Sequence, residues 1–356
     1  MIPLNVPFSA LKGRALFSLI FFTSPGLVAA ENSATQTKKT TDETMTVVAD
    51  GSRQSATNGY QPVNTSTATL TTMPMLDIPQ VVNTVSEQVL EDQHATNLDE
   101  ALYNVANVVQ TNTLGGTQDA FSRRGFGANR DGSIMTNGLR TVLPRSFTAA
   151  TERVEVLKGP ASTLYGILDP GGLINVVTKR PERSFGGSVS ATSTSFGGGS
   201  GQFDVTGPID GTPLAYRVIG EYQHEDYWRN FGKQKTSFIN PSLTWFGERA
   251  TVNVSYSHRN YSTPFDRGTI FDLNTGHAVN VDRKTRFDEP FNITDGYSDL
   301  AQLNAEYRLS DAWTARFDYS YSQDHYNDDQ ARVMAYDSAT GNLTRRVDAT
   351  HGSTNR

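Results

Sequence analysis

ERVEVLKGPASTLYGILDPGGLINVVTKRP, residues 152–181, decides how the rest of the chain is read. Val154, Val156 and Leu157 precede a turn at Lys158, Gly159 and Pro160, and Leu173, Ile174, Val176 and Val177 follow a second turn at Asp169, Pro170, Gly171 and Gly172. β-Branched residues favour extended backbone, while Gly and Pro set the sharp dihedrals of turns, so the stretch predicts two strands joined through turns.

The N-terminus predicts export. Lys12 and Arg14 form a short positive region, an apolar run follows from Ala15 to about Val28, and Val28, Ala29 and Ala30 supply small residues at the cleavage positions. This pattern is a secretory signal peptide at 1–30 with a mature start at Glu31, because the run is too short to span a bilayer. No later segment approaches the roughly 20 apolar residues of a helical span. Composition points to strands set in a membrane. Only 37% of residues are hydrophobic, yet there are 14 Tyr, 18 Phe and 3 Trp, as when alternate positions face lipid and aromatics gather at its interfaces. The absence of cysteine excludes disulfides and thiolate metal sites. A net charge of −6 speaks against nucleic acid as a partner.

Residues 31–65 are rich in Thr, Ser, Asn and Gln and read as a flexible linker. One island interrupts it: Glu43, Thr44, Met45, Thr46, Val47, Val48 and Ala49, a strand-prone run suited to pairing with another protein by strand addition. From 66 to 181 a small mixed domain is expected. Ser86 caps a helix through Leu90, Asn97 and Glu100 resemble a capping box before Leu98, Ala101, Leu102 and Val105, and Asn137-Gly138 marks a tight hairpin turn. After Pro181 the pattern becomes long period-two alternation. Leu303, Ala305, Tyr307 and Leu309 alternate with Gln302, Asn304, Glu306 and Arg308, the lipid-out, lumen-in pattern of a transmembrane β-barrel, which a soluble β-sandwich would share. A short turn is expected at Ser310-Asp311 and a long loop over 266–295.

The 152–181 wording resembles the plug signature of TonB-dependent outer-membrane receptors, above all those importing ferric siderophores. DIPQVV at 77–82, FSRRGF at 121–126 and NGLR at 137–140 resemble further plug motifs in the same order, and residues 43–49 resemble the TonB box. The resemblance implies a transmembrane antiparallel β-barrel, incomplete here, preceded by an α+β plug: signal peptide 1–30, linker 31–65, plug 66–181 and first barrel strands 182–356. It implies TonB and its inner-membrane energising complex as partner, the outer membrane as location, and a ferric siderophore of hydroxamate type as transported ligand, with no cofactor bound by the protein itself. The gap between Glu31 and Glu43 is too short for a signalling domain. Haem or cobalamin as ligand, or a non-transporting adhesin or docking surface, are the alternatives.

No catalytic or metal-binding constellation stands out, and the chain is expected not to be an enzyme. Six arginines cluster over 123–153: Arg123, Arg124, Arg130, Arg140, Arg145 and Arg153. Arg124 matches the plug-motif arginine that contacts ligand in hydroxamate receptors, and its planar donors suit chelate oxygens. Phe147 is the one aromatic near the position where such receptors place a ligand contact. Arg140 and Arg153 are read as salt-bridge partners of the barrel wall. Glu152, Gly159, Pro160, Tyr165, Gly166, Pro170, Gly171 and Gly172 are read as structural parts of the plug. Residues 182–356 supply about eight strands where plugged transporters use 22, and 343–356 reads as a polar loop, so a fragment is expected.

Overall fold

Residues 152–181 fold as the central hairpin of a five-stranded sheet in the computed structural model, which describes residues 6–7, 57–127 and 132–356. After two short pairings, Thr57–Asn58 with Gln61–Pro62 and Asn64–Thr65 with Met73–Pro74, the strands of this domain, in chain order, are β1 (Val81–Val85), β2 (Val108–Gln110), β3 (Phe121–Arg123), β4 (Ile134–Thr136), β5 (Leu139–Arg140), β6 (Thr151–Lys158) and β7 (Gly172–Thr178). The sheet order is β5-β4-β7-β6-β1, with β4 and β7 parallel and the other neighbours antiparallel. β2 and β3 form a separate hairpin.

The register explains the apolar run. Val154 faces Val176 and Val156 faces Ile174, and all four side chains are fully buried against Leu98, Leu102 and Phe121. Each such side chain contributes roughly 1.5–3 kcal/mol by leaving water. Two helices cover this face, α1 (Glu87–Asp92) and α2 (Leu98–Leu102). Ser86 Oγ accepts from Val89 N at 3.4 Å, and Asn97 Oδ1 accepts from Glu100 N at 2.9 Å. The Glu100 carboxylate returns to Thr96 N at 2.7 Å, one residue before the position a capping box implies. Asn137 and Gly138 both have positive φ, 54° and 78°, as the two-residue turn between β4 and β5 demands.

Eight strands follow in one antiparallel meander: β8 (Gly186–Ser193), β9 (Gly198–Pro208), β10 (Leu214–Asp226), β11 (Lys233–Phe246), β12 (Ala250–Pro264), β13 (Ile293–Arg308), β14 (Thr314–Asp337) and β15 (Asn342–Asn355). Val6 and Pro7 pair with Val189 and Ser188 on β8. The connections are short turns, including the one at residues 309–313, except for one long loop spanning 265–292. Gln302 and Asn304 are buried against the mixed domain, while Leu303 and Tyr307 lie on the opposite face. The expected loop at 343–356 is instead the strand β15, paired with β14 over nearly its whole length. β14 runs well past the residue that pairs with the start of β13. Beyond the apolar band a ribbon satisfies its backbone by pairing and needs no apolar face, so polarity there does not signal a loop.

Candidate functional site

The mixed domain is fastened to the inner face of the eight-stranded wall. Lys179, just beyond β7, donates to Asp204 Oδ2 on β9 at 3.2 Å and also pairs with Glu87 of α1 at 2.7 Å. Asp204 accepts twice from Arg217 on β10, at 2.8 and 2.6 Å, and Arg217 reaches Glu182 at 3.2 Å. Burial disfavours the Lys179 charge, but Glu87 and Asp204 outweigh it and hold its pKa above the ordinary lysine value. Further along, Asn137 donates to Gln302 Oε1 at 2.6 Å, Gln302 donates to Thr136 O at 3.2 Å, and Ser322 Oγ accepts from Val142 N at 3.1 Å. Ala150 packs with Ile219 and Phe238 as the apolar part of this contact.

At the far end, the loop of residues 111–120 between β2 and β3 meets the long loop of the wall. Asp266 N donates to Gly115 O at 2.9 Å, and a Cβ on Gly115 would lie 2.9 Å from the Phe265 ring. Arg145 bridges Asp119 at 3.0 Å and Asp99 at 3.5 Å, and Asp119 also accepts from Ser146 N at 2.7 Å. Burial opposes the Arg145 charge, yet Asp119 and Asp99 raise its pKa, while burial pushes the Asp99 carboxyl up. Above this, Arg229 pairs with Asp266 at 2.8 Å and Arg286 with Asp288 at 2.6 Å. The Arg286 guanidinium covers Phe231, 4.6 Å from its centroid.

The residues singled out in the sequence fall in several places. Arg124 is exposed at φ 50° on the turn that closes the other end of the β2–β3 hairpin, one three-residue strand, or about 10 Å, from the loop that meets Phe265. Its guanidinium approaches the Lys158-Gly159 turn, and burial together with the Arg124 charge lowers the Lys158 pKa. Arg123 beside it is buried and donates to Gly172 O at 3.1 Å. Phe147, half-buried, packs against the apolar cluster around Val154 and Val176. Among the described residues, Arg140 and Arg153 form no ion pair with the wall. Arg140 donates to Tyr165 O at 3.1 Å and to Ile167 O, and Arg153 pairs with Glu152 at 2.5 Å and Glu155 at 2.7 Å. Their partners lie on the same domain because its turns and buried acids come within reach first.

The glycines of the signature are spatial requirements. A Cβ on Gly172, at φ 108°, would sit 1.9 Å from Leu157 O, and one on Gly171 would sit 2.3 Å from Arg123 O. Gly159 and Gly166 have φ of 119° and 75°. Pro160 and Pro170 are exposed in the turns they shape, and Tyr165 Oη donates to Thr67 O at 2.8 Å. Sequence reasoning passed over Lys179, Asp204, Arg217 and Glu155. Glu155 is fully buried and accepts from Thr65 at 2.5 Å and from Thr67. A lone acid between Val154 and Val156, in a strand covered on both faces, was the available signal. Residues 43–49 and Arg130 lie outside the described residues. Among the described residues, no group of His, Cys, Asp and Glu is placed to hold a metal ion.

Residues 74–173 match the family described as TonB-dependent Receptor Plug Domain. The chain is 31% identical to the metal-pseudopaline receptor CntO of Pseudomonas aeruginosa, over 80% of this chain and 40% of that protein. It is 31% identical to the catecholate siderophore receptor Fiu of Escherichia coli K12, over 68% of this chain and 34% of that one. The crystal structure of Fiu in its open form superposes with a TM-score of 0.69 at 28% identity, covering 79% of this chain and 45% of Fiu. The ferrioxamine B receptor of Salmonella typhimurium is 27% identical over 72% of the chain and 38% of its own length. The chain thus spans less than half the length of these relatives. The five-stranded domain is a TonB-dependent receptor plug, and the meander that follows is wall of the antiparallel β-barrel that such receptors place in the outer membrane. These relatives are receptors rather than enzymes.

Proposed function

We propose that this chain is the N-terminal portion, plug and first barrel strands, of a TonB-dependent receptor that imports a ferric siderophore across the outer membrane. The observation that carries the reading is the seating of the plug: Lys179, Asp204 and Arg217 fasten it to the inner face of the wall, while loop 111–120 meets the long loop at the opposite end. A plug held at one end and in contact with outer loops at the other is suited to sense a ligand outside and respond to a pull from inside.

On this reading the chelate arrives at the mouth formed by loop 265–292 and the loops around Gly115 and Arg145. Arg124 meets it deeper. With Lys158 beside it, Arg124 presents adjacent cations to an anionic chelate, and charge-assisted bonds from a guanidinium are strong enough to orient one. Residues 43–49 pair with TonB by adding a strand, and force passes along the linker to Thr65 and Thr67, which are held by buried Glu155. Iron is cargo, carried by the siderophore. The test is growth on a ferric siderophore as sole iron source, in cells with and without an intact tonB system, using the full-length receptor. Equal growth in both would remove the energised-transport reading. A panel of ferric catecholates and hydroxamates then fixes the chelate type.

A further inference from the structure

The outward face of the wall changes character along its strands. Leu303, Ala301, Phe317, Tyr319 and Tyr321 continue the apolar band, and the first polar row beyond it is His258, Asp299 and Gln323, register partners on β12, β13 and β14. Asp299 ties that row together: its carboxylate accepts from Tyr256 Oη at 2.6 Å and Gln323 Nε2 at 2.7 Å, and lies 2.7 Å from His258 Nδ1. Two more outward rows follow. Asn260, Tyr297, His325 and Ser353 are partners across β12 to β15, and Asp295, Asn327 and His351 are partners in the row beyond. A shallow groove runs between these two rows, floored by the intervening backbone at Gly296 and Gly352. Strand spacing and rise make it roughly 14 Å long and 7 Å wide.

One side of the groove is a platform of rings. Tyr297 stacks on His325 with centroids 4.7 Å apart and planes 28° apart, and His258 lies 6.0 Å from Tyr297. The other side is a chain of polar groups: His351 Nδ1 lies 2.6 Å from Asn327 Oδ1, and Asn327 Nδ2 donates to Asp295 Oδ2 at 3.4 Å. Asp295, Tyr297, Asn327 and His351 are all exposed. Aromatic faces take the C–H face of a sugar ring, while amide and carboxylate groups take its neighbouring hydroxyls. We propose that this groove binds a saccharide, the head of a glycolipid in the outer leaflet around the barrel. Among the described residues no lysine or arginine lines the groove, so phosphate is not what it selects. An acyl chain would strip water from the amides and the acid and return no hydrogen bond. Depth agrees with a sugar. His325 lies four residues along β14 from Tyr321, the last ring of the band, which at ordinary strand tilt is roughly 10 Å into the headgroup layer. A lipid whose tail lies against Leu303 and Tyr319 therefore presents its head to Tyr297 and Asp295.

The assignment rests on the receptor reading in one respect, that loop 265–292 marks the external end of the strands. The test is native mass spectrometry of the full-length receptor in detergent with three probes: lipopolysaccharide carrying its core sugars, lipid A without them, and the free core oligosaccharide. The core-bearing form should bind at least tenfold tighter than either of the others. Tyr297→Leu and Asp295→Ala should each cut that advantage over lipid A fivefold or more, while Tyr297→Phe keeps the ring and should retain it. Lys235→Ala, exposed on the same outward face of β11 beside Ser262, should leave it unchanged. Equal binding of lipid A, an advantage within twofold across the Tyr297→Leu and Asp295→Ala variants, or one lost with Lys235→Ala would overturn the saccharide site. Free oligosaccharide bound as tightly as the intact glycolipid would overturn the membrane source. Core-dependent binding that follows Tyr297 and Asp295 in a receptor that takes no ferric siderophore upholds the groove and removes the receptor reading. Siderophore uptake with no preference for the core sugars does the reverse.

Discussion

Lys179 Nζ lies 3.2 Å from Asp204 Oδ2, so the plug's central hairpin ends on a charge of the second barrel strand. Asp204 is 3% exposed and also holds Arg217 at 2.6 Å. Removing one member of a buried charge network leaves the others desolvated and unpaired, a cost of about 3–5 kcal/mol. Asp204→Asn is therefore expected to loosen the plug from the wall, read as a lower urea midpoint and faster amide exchange over residues 172–180. Unchanged exchange would mean that the apolar contact of Ala150 with Ile219 and Phe238 holds the plug without it.

Gly172→Ala tests the hairpin itself. The new methyl would meet Leu157 O at 1.9 Å at a backbone φ of 108°, so both strain and overlap act together. A loss of about 3 kcal/mol or more is expected, seen as protease sensitivity of residues 152–181. Gly116→Ala is the control, since its φ is also positive at 89° but nothing lies within 4 Å. It should cost only the backbone term, about 1–2 kcal/mol.

How much of this was legible depended on how local the cause was. The β6–β7 hairpin, the Asn137-Gly138 turn and both helix caps are set by residues a few positions apart, and each formed where the sequence placed it. Barrel alternation is equally local, which is why Gln302 and Asn304 could be assigned to the plug side. Charge partners are not local. Lys179 finds Asp204 25 residues on, and Glu155 finds Thr65 at a separation of 90, so spacing alone gave no reason to join them. Arg140 and Arg153 were assigned to the wall on the correct premise that a buried charge needs a partner, but carbonyls and acids of the plug itself were nearer. Phe147 illustrates the same limit, since only the fold reveals the apolar cluster it packs against.

Arg124→Ala separates ligand recognition from plug structure. An exposed guanidinium that makes charge-assisted bonds to a chelate contributes roughly 1.5–3 kcal/mol, so siderophore affinity should fall about tenfold or more with plug stability unchanged. Arg123→Ala should do the opposite, because its buried side chain holds Gly172 O and Phe121 O at 3.1 and 2.9 Å. If Arg124→Ala leaves affinity within twofold, the residue is not a ligand contact.

The long outer loop carries its own acid-sensitive clasp. Asp272 accepts from Ser338 Oγ at 2.7 Å, Ser338 N at 3.0 Å and Thr275 Oγ1 at 3.0 Å. The Ser338 hydroxyl bond, together with the backbone amides, lowers its pKa to about 2 despite opposing desolvation. A depressed carboxylate stabilises the loop fully above the unfolded value near 4, and that stabilisation is lost as pH falls towards 2. Proteolysis or exchange of residues 270–276 should therefore stay slow down to about pH 4 and accelerate between 4 and 2. Asp272→Asn should show the faster rate at neutral pH and no further change on acidification.

The energy-coupling assignment is tested at Val47. Strand addition requires backbone N–H groups along residues 43–49 to pair with the partner strand. Val47→Pro removes one donor and fixes φ near −65°, which bends the strand without touching the plug. In a full-length receptor, siderophore binding to whole cells should be unchanged while uptake falls to the level of cells lacking tonB. A shifted proline at Ser55, beyond the box and before the Thr57–Asn58 strand, should leave uptake intact, because strand addition needs pairing only along the box. Uptake that survives Val47→Pro would place the TonB contact elsewhere in the chain, and uptake lost equally with both prolines would trace the defect to the linker rather than to strand pairing.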